Sequence, residues 1–303
     1  MSAQHAINSS AFQIAKAQTT DDLISDVDCL ILDSIGKSSE LTHARDNICL
    51  NAAKYHLASG GHKIRARLCI EASIALGVKH QDMLIMAAVC ELLHNASLIH
   101  DDIQDGDIVR RDIETVWKKF GVNVALCTGD FLLSAAYGVL AKFSHAQLTP
   151  QLIAAIYQCT STVIQGQCAD IAYQNQQLCS VSSYQKIAIA KSGALLSLPI
   201  ELALAASQRV ESIADARAAA ESFAIAYQIA DDLCDIDKDA DCHSLNIVSV
   251  LKAAGERENP TQVAKTLAMQ HLQAANTLAT KLPQNSGALL IELALQLKQK
   301  LTH

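Results

Sequence analysis

The chain has 303 residues, of which 50% are hydrophobic, and its formal net charge is -7. This composition excludes an intrinsically disordered protein, and the absence of a lysine- and arginine-rich block argues against binding to nucleic acid. Glycine and proline number only 12 and 4, and aromatic residues make up 4%. Because alanine and leucine dominate the remainder and favour helices, the composition predicts an all-α fold.

Apolar residues recur at helical spacing along nearly the whole chain. The first helix is predicted from Thr19, a hydroxyl cap that precedes Asp21 and Asp22 at the positive end of the helix dipole. Further helices are predicted at 40–58, 62–76, 80–104, 115–145, 149–175, 182–207, 211–237, 245–257, 260–282 and 286–301. No linker or repeat divides the chain. Residues 1–303 are therefore predicted to form one domain of about ten helices, with a less ordered segment at 1–18.

The cysteines and the start of the chain bear on the cellular compartment. The ten cysteines are scattered singly without a CxxC pair, so we expect reduced thiols and no disulfide framework. The first residues lack the basic region and the long apolar stretch of a signal peptide. No run of 18 apolar residues without charge is found, so no membrane span is predicted. We therefore expect a cytoplasmic protein.

An acidic cluster closes the very apolar predicted helix 80–104. Asp101 and Asp105 are four residues apart and lie on one helical face, with Asp102 beside them. His94 lies on the same side, seven residues before Asp101. Like charges at this spacing, at the negative end of the helix dipole, destabilise a helix. The arrangement is therefore explained best by cations that bind there.

Nearly the same cluster recurs 130 residues later, where Asp231, Asp232 and Asp235 follow another apolar helical run. One acidic helix end is more often a solvated face, but two copies that each close an apolar helix indicate a metal site. Carboxylates without a histidine or cysteine ligand set select Mg²⁺ or Mn²⁺. Magnesium keeps several waters and binds substrate phosphates, so the two clusters predict metal ions that bridge the protein to a diphosphate.

Basic residues suited to a diphosphate lie near these clusters. Arg110 and Arg111 follow the first cluster after a turn at Gly106, and Lys191 with Ser192 interrupts an apolar helix. A third basic group, at a predicted helix start, consists of Lys63, Arg65 and Arg67. Arginine binds phosphate oxygens in bidentate fashion and lysine supplies a point charge. For each of these residues the alternative is a surface cation without function. This alternative is weakest for Arg110 and Arg111.

Taken together, these residues resemble the trans-isoprenyl diphosphate synthases of the polyprenyl synthetase family, from about residue 40 to about 240. The segments that carry the resemblance are Gly60–Arg65, His94–Arg111, Phe120–Gly121, Gly129–Asp130, Gly166–Asp170, Lys191–Ala194 and Gln228–Asp235. The resemblance implies the isoprenoid synthase fold, a helical bundle whose two acidic motifs face a central cavity. It also implies a homodimer that condenses isopentenyl diphosphate head-to-tail with dimethylallyl, geranyl or farnesyl diphosphate. Three Mg²⁺ ions, replaceable by Mn²⁺, are expected with substrate bound.

The same resemblance implies roles for individual residues. The implied magnesium ligands are Asp101, Asp105 and Asp231, supported by Asp102 and Asp235, with Asp232 completing the second motif. The residues implied to hold the allylic diphosphate are Arg110, Lys191 with Ser192, and Gln228. Those implied to hold isopentenyl diphosphate are Arg65, His94 and Arg111, with His62 or Lys63.

The sequence departs from the family pattern in two places. His62 stands where a permanent cation is usual, and a neutral imidazole there would weaken one diphosphate contact. After Asp235, Leu245 and Asn246 stand where the family places a lysine, and Lys238 comes earlier. Either Lys238 substitutes for that lysine, or the affinity for the allylic substrate is reduced.

Product length and two rival functions stay open at this point. Ala96 and Ser97, just before the first motif, are small, which favours products of twenty carbons or more; Leu92 and Leu93 leave fifteen carbons as the alternative. A class I terpene cyclase usually has an Asn/Ser/Glu metal site in place of the second aspartate motif. A non-catalytic modulating subunit tends to lose the aspartates. The synthase is therefore the favoured interpretation.

Overall fold

The computed structural model describes residues 18–37, 47–173, 180–236, 245–256 and 258–302. Nearly all of these residues are helical, which confirms the predicted all-α fold. The helices are α1 (Thr20–Lys37), α2 (Ile48–Ala58), α3 (Ile64–Ala75), α4 (His80–Asp105), α5 (Val116–Phe120), α6 (Val122–Leu140), α7 (Thr149–Tyr173), α8 (Val181–Ala188), α9 (Ala194–Ala206), α10 (Ile213–Cys234), α11 (Ile247–Ala253), α12 (Pro260–Ala279) and α13 (Ala288–Thr302). Two short strands, β1 (Val109–Arg110) and β2 (Ile113–Glu114), form a hairpin.

The bundle is organised around α4 and α10. α4 packs against α1, α3 and α6, and α10 packs against α9, α12 and α13. α3 and α9 contribute one face to each of the two hydrophobic cores that result. α9 is apolar on nearly all sides, as expected of a helix buried all round, and it contains Pro199.

Both acidic motifs lie at one end of the bundle. Lys191, just before α9, acts electrostatically on Asp101 at the end of α4. A short connection joins α9 to α10, and the two helices pack side by side, so α10 returns towards the start of α9. The C-terminal ends of α4 and α10 therefore meet at the same end of the fold.

Several predicted boundaries differ from the structure. The predicted helix 115–145 is divided into α5 and α6 at Gly121, whose φ is 89°. The predicted helix 182–207 contains a π-helical turn, Ile189–Gly193, between α8 and α9. The predicted start at residue 40 lies outside the described residues. At Thr19 the predicted cap is confirmed, since its hydroxyl accepts the N–H of Asp22 at 3.2 Å.

Within the described part of the chain, three helical stretches are long and apolar enough to cross a membrane by length and composition: His80–Asp105, Val122–Leu140 and Val181–Ala206. The most apolar windows of the first and third are 78% and 72% buried inside the fold. Their hydropathy is therefore explained by core packing. The window in α6 is only 33% buried, so much of this apolar helix lies at the surface of the fold.

Candidate active site

The first acidic motif lies on the last turn of α4. Asp101 and Asp105 share one face of that turn, and Gly106, with φ of 71°, ends the helix at the predicted turn. Burial raises the pKa of Asp101 to about 6, an effect that Lys191 opposes and Asp105 reinforces. Burial raises the pKa of Asp105 as well. The protein thus leaves the charges of two neighbouring carboxylates incompletely compensated, which favours a cation beside them.

Asp102 points into the protein, away from that face. Its side chain is 1% exposed, and its Oδ1 lies 2.6 Å from both Nε and Nη2 of Arg110. Its Oδ2 is buried without a hydrogen-bond partner. Burial raises the pKa of Asp102, and Arg110 opposes the shift. Asp102 therefore holds the Arg110 guanidinium beside the first motif.

Arg110 and Arg111 lie on a β-hairpin that the sequence did not predict. The central residues of its turn, Arg111 and Asp112, have φ of 52° and 64°. Positive φ at both positions is typical of a type I′ turn, which matches the twist of two paired strands. The turn directs the guanidinium of Arg111 back to the hydroxyl of Ser59 and the carbonyl of Gly60. The hairpin therefore joins the end of α4 to the loop before α3.

Next to this loop, Arg65 and His94 form a half-buried pair. Arg65 Nη1 lies 3.1 Å from His94 Nε2. Because arginine only donates, Nε2 accepts and the proton of His94 is assigned to Nδ1. Burial lowers the pKa of His94 well below its usual value, and the positive charge of Arg65 lowers it further. His94 Nδ1 and Arg65 Nε are both buried without a partner, so each can donate a hydrogen bond to a ligand.

His56, on α2, belongs to the same basic cluster and is 4% exposed. Burial lowers its pKa to about 4, and Arg111 and Arg110 add to the shift. We expect the free energy of unfolding to decrease as the pH falls from about 6.5 to about 4, by up to roughly 3 kcal/mol from His56 alone. The sign follows because the unfolded chain binds a proton near pH 6.5, whereas the folded His56 binds one only near pH 4.

Denaturant unfolding between pH 7 and pH 4 measures this dependence. His56→Gln is expected to flatten the profile, whereas His80→Gln, which removes an exposed histidine, is expected to leave it unchanged. A profile that is equally steep in His56→Gln and in the wild type would contradict the assignment.

Two further basic residues, Lys63 just before α3 and Arg67 in its first turn, are paired with α1. Lys63 Nζ lies 2.8 Å from Asp28 Oδ1, and Arg67 Nη2 lies 2.6 Å from Asp21 Oδ1. His62 is exposed, and its carbonyl accepts a hydrogen bond from Arg67. Of the predicted basic group, the structure therefore places Arg65 with His94, whereas Lys63 and Arg67 reach towards α1.

Lys191 lies beside the first motif, on the π-helical turn. Its Nζ is 2.5 Å from Asp170 Oδ2, near the end of α7. Gly166 permits this approach, since a Cβ there would overlap Ala190 and the backbone nitrogen of Lys191. Ser192 lies on the same turn and is half-buried. The turn and the close contact with α7 together place an ammonium group within the field of the acidic residues of α4.

In the second motif, Asp232 is also engaged by the protein. It is 2% exposed, and its carboxylate accepts hydrogen bonds from Tyr184 Oη at 2.8 Å, Gln228 Nε2 at 2.9 Å and the backbone N–H of Ile247 at 2.7 Å. The side chain of Asn246 donates to the Asp232 carbonyl at 2.8 Å. Asp232 therefore fastens α8 and the start of α11 to α10.

Asp231 and Asp235 flank Asp232 in the sequence, at the end of α10. Asp231 is exposed and Asp235, which follows the helix, is half-buried. Tyr227, one turn before Asp231, is within electrostatic reach of both the second motif and the basic cluster. Burial raises its pKa, Asp231 raises it further, and Arg65 lowers it. Lys238 lies outside the described residues. The predicted residues are thus gathered at one end of the bundle, with the two motifs on separate helices.

Residues 46–244 match the model of the polyprenyl synthetase family. The chain belongs to this family. A short chain isoprenyl diphosphate synthase of Methanothermobacter thermautotrophicus is 27% identical over 219 residues, which cover 69% of this chain and 67% of that protein. A (2E,6E)-farnesyl diphosphate synthase of Mycobacterium tuberculosis is 33% identical over 177 residues, 58% of this chain and 49% of that protein.

Solved structures of polyprenyl synthetase relatives agree in fold. The geranylgeranyl pyrophosphate synthetase of the archaeon Geoglobus acetivorans superposes with a TM-score of 0.79 at 22% identity, covering 91% of this chain and 99% of that one. A decaprenyl diphosphate synthase from Rhodobacter capsulatus gives 0.81 at 17% identity, covering 94% and 98%. The predicted isoprenoid synthase fold is therefore confirmed. The matched sequence spans about half to two thirds of the curated relatives.

Polyprenyl synthetases are generally magnesium-dependent. Among the described residues, no three aspartate, glutamate, histidine or cysteine side chains lie close enough to hold a metal by themselves. The available groups still fit magnesium, because they are carboxylates, and because Lys191 and Arg110 only partly offset the rise that burial causes in the pKa of Asp101 and Asp105. Magnesium binds through one or two carboxylates and completes its octahedron with water and phosphate oxygens.

Sequence reasoning missed several residues of this polyprenyl synthetase site. Asp170 was part of a motif but received no role. Glu91, 2% exposed, accepts the N–H of Ala66 at the start of α3, and its signal was a lone charge inside an apolar run. Tyr184 and His56 had no signal, since their partners lie on helices distant in sequence.

Proposed function

We propose that this protein condenses isopentenyl diphosphate head-to-tail with an allylic diphosphate in a magnesium-dependent reaction. The observation that carries the proposal is the pair Asp101 and Asp105, incompletely compensated carboxylates with the cations Arg110 and Lys191 beside them. Such an arrangement suits a dianionic diphosphate that arrives with its metal ions. These carboxylates, through metal ions, and these cations bind the diphosphate, while the hydrocarbon chain packs against the apolar helices.

Asp101, Asp105 and Asp231 are the residues we expect to hold magnesium, with Asp235 in support. When bound, the metal supplies Lewis-acid stabilisation of the diphosphate leaving group. Arg110 is oriented by Asp102, and Lys191 is oriented by Asp170. Their fixed positive charges stabilise the leaving oxygen more strongly as it becomes negative.

Arg65, His94 and Arg111 form the second proposed subsite, for isopentenyl diphosphate. Arg65 Nε and His94 Nδ1 are donors without partners, and both are buried. A diphosphate would satisfy them and relieve the repulsion between neighbouring guanidinium groups. His62 and Lys63 lie at the edge of this subsite, where Lys63 is paired with Asp28. Holding the two diphosphates side by side brings the isopentenyl double bond to the allylic carbon, and the apolar walls exclude water.

Gly61→Ala is expected to weaken binding of isopentenyl diphosphate, with an increase of about tenfold in its KM. A Cβ at Gly61 would come within 2.6 Å of the Arg111 guanidinium, and its φ of 121° disfavours alanine. Steady-state kinetics measure the effect. Gly60→Ala is the matched control, because Gly60 also has positive φ but no atom within 4 Å of its Cβ position. Equal KM values in the two variants would contradict a specific role for Arg111.

We also propose a homodimer that is formed through the outer face of α6 and α7. Large apolar side chains are exposed there, namely Val122, Leu126, Ile153, Tyr157 and Ile164. Several exposed large apolar side chains on two helices that follow each other in the chain favour a protein–protein interface there. Sedimentation velocity is expected to show a dimer in the wild type and a monomer in Leu126→Glu/Tyr157→Glu. A monomeric wild type would refute the dimer, and a dimeric variant would refute this face.

A single domain and a cytoplasmic location complete the proposal. They are supported by two cores that share α3 and α9, and by cysteines that are all free thiols in the described residues.

The activity is tested with purified protein, Mg²⁺ and labelled isopentenyl diphosphate, with dimethylallyl, geranyl or farnesyl diphosphate added in turn. We expect incorporation of label and release of diphosphate, both abolished by EDTA. Release of diphosphate without incorporation would indicate a cyclase-like enzyme. No reaction with any starter would indicate a modulating subunit, and either result would overturn the proposal.

A further inference from the structure

A buried carboxylate, Glu91, lies in the middle of α4 and is not used by the proposed reaction. It is 2% exposed and belongs to the otherwise apolar run 83–93. Burying a charge is unfavourable unless hydrogen bonds or other charges compensate it. The Oε1 atom of Glu91 accepts the backbone N–H of Ala66, on α3, at 3.1 Å. The contact with α3 and the charges around it therefore have to explain why a glutamate stands here.

Glu91 caps the start of α3 from a neighbouring helix. The first N–H groups of a helix lack intrahelical partners and are commonly bound by a Ser, Thr, Asp or Asn side chain at the N-cap. Here the N-cap is Lys63, with φ of 52°, and a lysine side chain donates hydrogen bonds but cannot accept them. Ala66 is the third residue of α3, so Glu91 supplies the acceptor that the N-cap cannot supply. A carboxylate also suits the positive end of the helix dipole.

The same face of α4 holds the side chain of Arg65. His94 comes three residues after Glu91, so the two side chains lie on one face of the helix. His94 Nε2 lies 3.1 Å from Arg65 Nη1, and Glu91 binds the N–H of the residue that follows Arg65. The first turn of α3 is thus attached to α4 at two points, its backbone by Glu91 and its guanidinium by His94. This attachment determines where Arg65 Nε points, a buried donor to which the described residues offer no partner.

Glu91 also supplies negative charge to the basic cluster. Burial lowers the pKa of Arg65, and Glu91 opposes this shift. Burial and Arg110 lower the pKa of Arg111, and Glu91 opposes that shift as well. Because the hydrogen bond of Glu91 goes to a backbone N–H, its carboxylate acts on both guanidinium groups through space. Arg65 Nε therefore stays available for a ligand.

We propose that Glu91 is a positioning residue for isopentenyl diphosphate, because by capping α3 from α4 it directs the guanidinium of Arg65 into the second subsite. The proposal rests on the prenyltransferase function proposed above. Glu91 acts through Arg65 and does not itself bind the substrate. Capping needs an acceptor at the right distance, and a neutral amide oxygen supplies one. Loss of the acceptor should therefore weaken the binding of isopentenyl diphosphate and leave the chemical step unchanged.

Glu91→Leu and Glu91→Gln test whether the acceptor is required. Both side chains are close in size to glutamate, but only glutamine keeps an oxygen that can accept the N–H of Ala66. We expect Glu91→Leu to increase the KM for isopentenyl diphosphate about tenfold, with kcat and the KM for the allylic substrate within about twofold of the wild type. Glu91→Gln should restore the KM for isopentenyl diphosphate to within about threefold of the wild-type value.

Glu91→Asp supplies an independent test that keeps the charge in the core. It shortens the side chain by one methylene and so withdraws the acceptor from Ala66, and we expect the KM for isopentenyl diphosphate to increase about fivefold. Glu71→Leu is the matched control. Glu71 also accepts a hydrogen bond between α3 and a neighbouring helix, from Thr20 on α1 at 2.7 Å, but it lies beyond the first turn of α3. Its loss is expected to leave the KM for isopentenyl diphosphate at the wild-type value.

Steady-state kinetics with labelled isopentenyl diphosphate measure these values, and thermal unfolding shows which variants are folded. If Glu91→Leu does not fold, the comparison of Glu91→Asp with Glu91→Gln decides. A wild-type KM in both Glu91→Leu and Glu91→Asp would overturn the proposal. An impaired Glu91→Gln beside an unimpaired Glu91→Asp would overturn it too, since charge rather than capping would then be required. A wild-type protein that incorporates no label would instead refute the underlying function, so the two failures are distinguishable.

Discussion

Asp101→Asn is expected to abolish turnover and, without divalent cations, to increase the free energy of unfolding. The carboxylate of Asp101 is held in a place where its pKa rises from 3.8 to about 6. Its ionised form therefore destabilises the folded protein at neutral pH, by roughly 2–3 kcal/mol, a cost that the amide removes. Because the same charge is needed beside magnesium, turnover should decrease at least about a hundredfold.

The direction of the pKa shift of Asp101 determines how the stability difference between the variant and the wild type depends on pH. A carboxyl group whose pKa is raised in the folded state loses its proton at a higher pH than it does in the unfolded chain. The wild type is therefore destabilised, relative to Asp101→Asn, as the pH rises from about 4 to about 6, and the difference persists above that range. At pH 3 the two proteins should have equal stability.

Denaturant unfolding in EDTA at pH 3, 5 and 7.5 measures the difference, and Asp130→Asn, at an exposed position of α6, is the control. Magnesium with inorganic diphosphate is expected to raise the Tm of the wild type but not that of Asp101→Asn. A variant that is no more stable than the wild type at pH 7.5 would contradict the burial argument. A variant with near wild-type turnover would contradict the metal assignment.

Asp232→Ala is expected to destabilise the protein by about 3–5 kcal/mol, the range seen when one partner of a buried charged network is removed. Three donors would lose their acceptor, from Tyr184, Gln228 and the backbone of Ile247. Asp231→Ala, at the neighbouring exposed position, is expected to abolish turnover with little loss of stability. Two adjacent aspartates of one motif thus have different consequences when they are removed.

Urea unfolding and steady-state kinetics on the same preparations separate the two effects. Tyr184→Phe removes a single donor to Asp232 and should cost about 1 kcal/mol, which makes it the graded control. Equal stability of Asp232→Ala and the wild type would show that the clamp between α8, α10 and α11 is not structural. Loss of stability in Asp231→Ala would show that the division of roles is wrong.

In both acidic motifs the second aspartate has the same structural role. In each, the second aspartate is almost fully buried and is bound by groups of the protein, Arg110 for Asp102 and the Tyr184 network for Asp232. Consecutive residues on a helix point about 100° apart, so when one carboxylate faces the site the next one faces a neighbouring element. We therefore expect the first aspartate to face the proposed metal site, while the second holds the helix end in place.

The sequence by itself determined the all-α class, the acidic ends of α4 and α10, and the family. These properties are local: helical spacing, sparse glycine and proline, and residues at fixed offsets on one helix specify them without knowledge of neighbours. The cap at Thr19 and the stop at Gly106 follow from the same short-range chemistry.

Tertiary structure alone decided which charges pair and which stay available. Lys63 and Arg65 are two residues apart, yet one binds Asp28 on α1 and the other binds His94 on α4. The positions of Arg111 and Lys191 depended on a type I′ turn and a π-helical turn, and the ion pair of Arg217 and Glu201 joins two helices. Periodicity states which face a residue occupies, but its electrostatic partner and its burial follow only from how the helices pack.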